Sequence, residues 1–76
     1  MKEKIVSTTT GKSYFPSDVV RIVNFKQATL YMLNGAELLD LYPSRDFKDN
    51  SPLLVFIFNR VATTPLYDAW CKHELV

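Results

Sequence analysis

One cysteine, one histidine and two glycines among 76 residues exclude several kinds of chemistry at the outset. Cys71 stands alone, so no disulfide forms within the chain. Cys71 and His73 are the only thiol and imidazole, fewer than the three or four ligands a zinc centre draws on, and neither a metal nor a cofactor is expected. Glycine occurs only at Gly11 and Gly35, which leaves no glycine-rich phosphate cradle. No apolar run approaches the ~20 residues that span a bilayer. After Met1-Lys2-Glu3-Lys4 only Ile5-Val6 precede serine and threonine, too little for the apolar core of a signal peptide. A soluble protein of a reducing compartment, the cytoplasm, is expected.

Charge is also sparse. A net charge of +1 sets up no field that would draw in nucleic acid or an anionic membrane. Its distribution is uneven: residues 1–26 hold Lys2, Lys4, Lys12, Arg21 and Lys26 against Glu3 and Asp18, whereas residues 37–52 hold Glu37, Asp40, Asp46 and Asp49 against Arg45 and Lys48. The split is compatible with a mildly basic face or head-to-tail packing, but ordinary solvated surface is the better account of it. What the chain has in quantity is apolar surface. At 47% hydrophobic and 13% aromatic it is far from the composition of a disordered segment. Its length makes one domain, which buries only roughly 60% of the surface its unfolded chain exposes. Without disulfide or metal, stability must come from a well-packed core or from self-association.

The most apolar stretch is Leu53 to Arg60, LLVFIFNR. A strand with one wet face would alternate apolar with polar; this run does not, so it reads as a central strand buried on both faces. Its shortness, its valine, isoleucine and phenylalanine, and the Ser51-Pro52 stop before it argue against a helix. Upstream, Ile5 to Thr9 predicts an edge strand or frayed terminus ending at Gly11-Lys12, and Ser13 to Asp18 a loop. Val19 to Val23 predicts a second strand. Asn24 with Gln27 three residues on is a capping-box pattern, Val23 with Ala28 a hydrophobic staple, and Asn34-Gly35 a left-handed stop, so a helix is predicted over Phe25 to Leu33. Phe25, Ala28, Thr29 and Met32 are expected on its buried face. Ala36 to Tyr42 predicts a strand beside the central one, stopped by Pro43. Ser44 to Pro52 then predicts a long loop, one of the few places where function could sit. Thr63-Thr64-Pro65 predicts the start of a last helix reaching Glu74, with an exposed Asp68–Lys72 ion pair and Trp70 as a core plug.

Catalytic patterns are thin. Cys71 and His73 are two apart on a helix and point in different directions, so they cannot pair as nucleophile and base. Asp46 and Asp49 lack the glycine and glutamate of a calcium loop and read as a solvated turn. For nucleic acid, Arg21, Lys26 and Arg60 could line one side, with Tyr14, Phe15 and Tyr31 stacking on bases, but three cations across forty residues are a poor footprint. Protein binding or self-assembly fits better, with Leu30, Tyr31, Tyr67 and Trp70 as candidate anchors and Tyr31 and Tyr42 the expected exposed pair.

From Val20 to Leu75 the landmarks VRIVNFKQATLYMLNG, LVFIFNR and LYDAWCKHEL resemble a group of short proteins from phages and mobile elements of low-GC Gram-positive bacteria. Arg21, Asn24, Gln27, Ala28, Tyr31, Gly35, Tyr67, Trp70, Cys71, Glu74 and Leu75 carry the match; the first 19 residues and the loop from Ser44 to Pro52 fall outside it. The resemblance implies a phage context and a small α+β fold, without a mechanism. The combined expectation is a β-β-α-β-β-α fold: three to four mainly antiparallel strands with two helices on one face. Its function is expected to be non-enzymatic protein binding, as a homodimer, with inhibition of a host defence or housekeeping factor as the expected outcome. Binding residues are expected among Arg21, Lys26, Leu30, Tyr31, Tyr42 and Arg60. A nucleic-acid accessory protein and an oligomer that sequesters a small nucleotide-like signalling molecule are the alternatives.

Overall fold

Val55, Phe56, Ile57 and Phe58 are all buried, the odd-numbered pair on one face of a sheet and the even-numbered pair on the other. In the computed structural model, which describes residues 3–76, this run is the middle of β5 (Pro52–Asn59). The expected central strand therefore forms, covered on both sides. β3 (Val19–Ile22) lies antiparallel along one flank, with Val20 facing Phe58 and Ile22 facing Phe56. β4 (Asp40–Arg45) lies antiparallel along the other, with Asp40 facing Ile57 and Tyr42 facing Val55.

Two helices, α1 (Phe25–Leu33) and α2 (Arg60–Cys71), cover the Phe56 and Phe58 face through Ala28, Tyr31 and Leu66. The opposite face is covered by a separate two-stranded sheet of β1 (Ile5–Val6) and β2 (Ser13–Tyr14), whose Tyr14 packs with Val19, Val55 and Ile57. The class is α+β with both helices on one side, as expected. The order gains a strand, and the amino-terminal strand is not an edge of the main sheet. Two-residue strands carry too little alternation to be read from sequence.

α1 spans the predicted residues. The Asn24 side chain accepts from the Gln27 N–H at 3.0 Å. At the other end Gly35, at φ +92°, lets the Gly35 N–H reach the Met32 carbonyl and the Ala36 N–H reach that of Tyr31, a Schellman closure. The buried face, however, is Gln27, Ala28 and Tyr31 rather than Phe25, Thr29 and Met32. Gln27 is tolerated there because its Nε2 donates to the Tyr31 hydroxyl at 3.0 Å, which satisfies both buried polar groups. Phe25 is 68% exposed and touches the core only edge-on, against Phe56.

Two further boundaries move. Pro43 does not stop β4; it sits within it, opposite Leu54, and the predicted loop shrinks to a turn closed by Asp46 N–H to the Ser51 carbonyl at 2.9 Å. α2 begins at Arg60, capped by Asn59, whose side chain accepts from the Ala62 N–H at 2.9 Å, and Pro65 lies inside the helix. Trp70 is half-buried instead of plugging the core, and Asp68 and Lys72 do not pair: the ion pair among the described residues is Lys12–Glu37.

Candidate functional site

The two outer edges of the main sheet are finished differently. The Leu39 N–H donates to the Ile57 carbonyl at 2.8 Å, so the peptide groups of Ile57 face β4. Peptide direction alternates along a strand, so those of Phe56 and Phe58 face β3, and Val20 and Ile22 answer them. The peptide groups of Leu41 and Pro43 on β4, and of Val19 and Arg21 on β3, therefore point outward, with Val23 continuing the latter parity. Proline at 43 thus costs no ladder hydrogen bond.

On the β4 side the carbonyl of Leu41, and that of Leu39 just before the strand, are taken, while that of Pro43 has no partner among the described residues. The Thr9 hydroxyl donates to Leu41 at 2.8 Å and the Thr10 hydroxyl to Leu39 at 2.7 Å. The turn that carries them is held by buried Ser7, whose hydroxyl accepts from the Thr9 and Thr10 N–H groups and donates to Asp40 Oδ1 at 2.6 Å. Tyr14 donates to Asp40 Oδ2 at 2.6 Å, and the Leu41 N–H completes the set. Burial pushes the Asp40 carboxyl up, but these three donors outweigh it and hold it below the ordinary carboxylate range. Burial, then the Asp40 hydrogen bond and charge, push the Tyr14 phenol from 10.0 to about 12.

The β3 side is open. Among the described residues Val19 alone is engaged there: its carbonyl accepts from Arg60 Nη2 at 2.9 Å. Among the described residues no turn or side-chain hydrogen bond reaches the peptide of Arg21. A cavity of about 350 Å³ flanks the edge on the helix face, walled by Val20, Ile22, Thr63 and Tyr67 and floored by Tyr31, with Arg21 and Arg60 on its lining. A second, of about 500 Å³, flanks it on the other face, between Tyr14, Val19, Tyr42 and Ile57, and shares both arginines. Neither arginine has an acidic partner among the described residues. The Tyr67 phenol on the first wall is pushed up from its ordinary value, chiefly by its hydrogen bond with Cys71 and then by that group's charge.

Of the expected binding residues, Arg21 and Arg60 converge on this edge. Tyr42 lines the second cavity, and exposed Lys26 and half-buried Leu30 line neither. Tyr31 is a core residue, only 1% exposed, with its ring edge-on to Phe58 at 5.3 Å, and cannot serve as an exposed anchor. Buried Tyr14 and Tyr31 are likewise unavailable to stack on bases. Thr63, Tyr14 and Ile57 enter the site through tertiary folding, with no local pattern marking them; the outward parity of β3 was legible only once its partner was known. Asp46 and Asp49 are occupied within their turn, by the Lys48 N–H and by Ser51. Among the described residues no group of His, Cys, Asp or Glu converges as a metal site, and no helix is long and apolar enough to cross a membrane. No family model, curated protein or solved structure matches this chain.

Proposed function

We propose that this protein is a non-enzymatic binding module that captures a partner protein by accepting one of its strands along the open edge of β3. The observation that carries the reading is the asymmetry of the two edges: threonine hydroxyls occupy the carbonyls of Leu39 and Leu41 and proline at 43 has no N–H to offer, whereas among the described residues Arg21 has an unoccupied N–H and C=O between two cavities. Strand addition draws affinity from main-chain hydrogen bonds and specificity from pockets for alternate side chains, and both ingredients occur together here. A host defence or housekeeping factor as the partner class rests on analogy alone, from the small size of the chain and the resemblance of its landmarks to those of phage and mobile-element proteins.

Val23→Pro tests the reading. It removes an outward N–H from the edge without touching the inward ladder or either arginine. Peptides selected on the wild-type protein from a random displayed library are expected to lose about tenfold or more in affinity on this variant, the equivalent of ~1.4 kcal/mol. In the wild-type complex the Arg21 and Val23 amides are expected to gain protection from hydrogen exchange. Selected peptides that bind both proteins equally and leave those amides unprotected overturn strand addition.

A second reading, homodimerisation, is favoured by the exposed apolar side chains of Phe25, which meets Phe56 edge-on, and Leu54, two residues before Phe56 on β5. Light scattering decides it: a dimer that Phe25→Ser dissociates supports the reading, and a monomer at all concentrations removes it.

A further inference from the structure

We infer that the strand accepted by β3 carries an acidic residue opposite Arg21, flanked by large apolar residues opposite Val20 and Ile22. The inference rests on strand addition at this edge and specifies its chemistry. Side chains on an added strand alternate between faces in step with those of β3. The residue directly opposite Arg21 lies on the same face as its guanidinium, which has no carboxylate partner among the described residues, so a cross-strand acid is the favourable choice. Its two neighbours project to the other face, beside Val20 and Ile22, where the cavity of about 350 Å³ lies over Tyr31 and against Tyr67. That cavity is walled mainly by apolar groups, so it rewards leucine or an aromatic and penalises a polar side chain. Arg60, already fixed to the Val19 carbonyl, adds positive charge at the end of the same edge.

A second copy of this chain is a poor occupant. Outward-facing residues must meet outward-facing residues, so antiparallel self-pairing sets Arg21 against Val19, Arg21 or Val23 of the other copy. It never sets Arg21 against Asp18, the carboxylate nearest in sequence. In the Arg21–Arg21 register two like charges stand directly opposite, which is destabilising. Arg21 thus discourages pairing with its own kind and selects an acidic strand, one residue acting against the wrong partner and for the right one.

The test uses two synthetic extended peptides with identical flanks, one centred on leucine-glutamate-leucine and the other on leucine-lysine-leucine, titrated against the full chain. The glutamate peptide is expected to bind the wild-type protein about tenfold more tightly than the lysine peptide, and Arg21→Glu to reverse the order. Replacing the flanking leucines by serine should weaken binding by about tenfold or more while Tyr67 and Val20 resonances cease to shift. Equal affinity for both peptides, with both weakened by Val23→Pro, overturns the acidic-apolar pattern and leaves strand addition standing. Binding that Val23→Pro does not change, or no binding of the glutamate peptide at millimolar concentration, overturns the inference; the first of these also overturns the edge as the site.

Discussion

The Tyr14 hydroxyl lies 2.6 Å from Asp40 Oδ2, joining the short amino-terminal sheet to the start of β4 across 26 residues of sequence. Asp40 is a buried carboxylate that no cation pairs with among the described residues. Ser7, Tyr14 and the Leu41 N–H supply its hydrogen bonds, so its charge is held by neutral donors, which avoids the desolvation of a second ion. Because Ser7 also organises the turn that bears Thr9 and Thr10, the same carboxylate fixes the cover of the second face and the cover of the β4 edge.

This cluster predicts loss of stability at both ends of the pH scale. The folded Asp40 carboxyl titrates below its unfolded value, so its contribution is present above pH ~4 and fades as pH falls from there through the lower folded value. Tyr14 titrates at about 12 against 10.0 when exposed, so its contribution is present below 10 and fades as pH rises through about 12. The alkaline loss should be on the order of 2–3 kcal/mol. Urea unfolding across pH checks both limbs. Tyr14→Phe should abolish the Tyr14 part of the alkaline limb; an unchanged limb in that variant would place its origin elsewhere.

Thr9→Val and Thr10→Val each remove a hydroxyl from a carbonyl on the β4 edge, that of Leu41 within the strand and that of Leu39 just before it, while keeping side-chain volume. Each should cost about 0.5–1.5 kcal/mol in urea unfolding. The double variant should also associate as concentration rises, because it exposes a second unpaired edge. A double variant that remains monomeric in light scattering, with stability unchanged, would show that the threonines do not guard the edge.

Parts of this fold are written locally and parts are not. Asn24, Gln27 and Gly35 mark both ends of α1 through bonds that span three to five residues, and the apolar run around Phe56 needs cover on both faces whatever supplies it. The cover itself was not legible: Ser7 meets Asp40 over 33 residues, and neither residue type announces a buried partner. Pro43 misled for a physical reason, since its missing N–H matters only if that position points inward, and parity is set by the pairing with β5. Of the candidate site, the arginines were visible as charges. The cavity between them required β3, α1 and α2 to be brought together.

Gly35 gives a test of the α1 closure. Its φ of +92° disfavours any side chain, and a Cβ built there meets nothing within 4 Å, so the cost of substitution is entirely backbone conformation. Gly35→Ala should destabilise by about 1–2 kcal/mol, and Gly35→Asn by less, because asparagine tolerates the left-handed region better. Equal losses for the two, measured by thermal unfolding, would mean that side-chain contacts dominate instead.

Pro65 supplies the sharpest test of where α2 begins. If Thr64 were the cap and Pro65 the first helical residue, proline would be favourable and its replacement by alanine neutral or destabilising. With the cap at Asn59, Pro65 lies in the second turn, lacks the N–H that would reach the Val61 carbonyl, and crowds that carbonyl with its ring. The Thr63 and Thr64 hydroxyls donate instead to the Asn59 and Arg60 carbonyls, at 2.8 and 2.9 Å, as side-chain bonds along the first turn. Pro65→Ala should therefore stabilise the protein by about 1–3 kcal/mol, and Asn59→Ala should destabilise it by ~1 kcal/mol. Paired urea titrations read the signs directly. The opposite pair of signs would move the start of α2 to Thr64, take Arg60 out of the helix, and with it remove the arginine that marks the end of the open β3 edge.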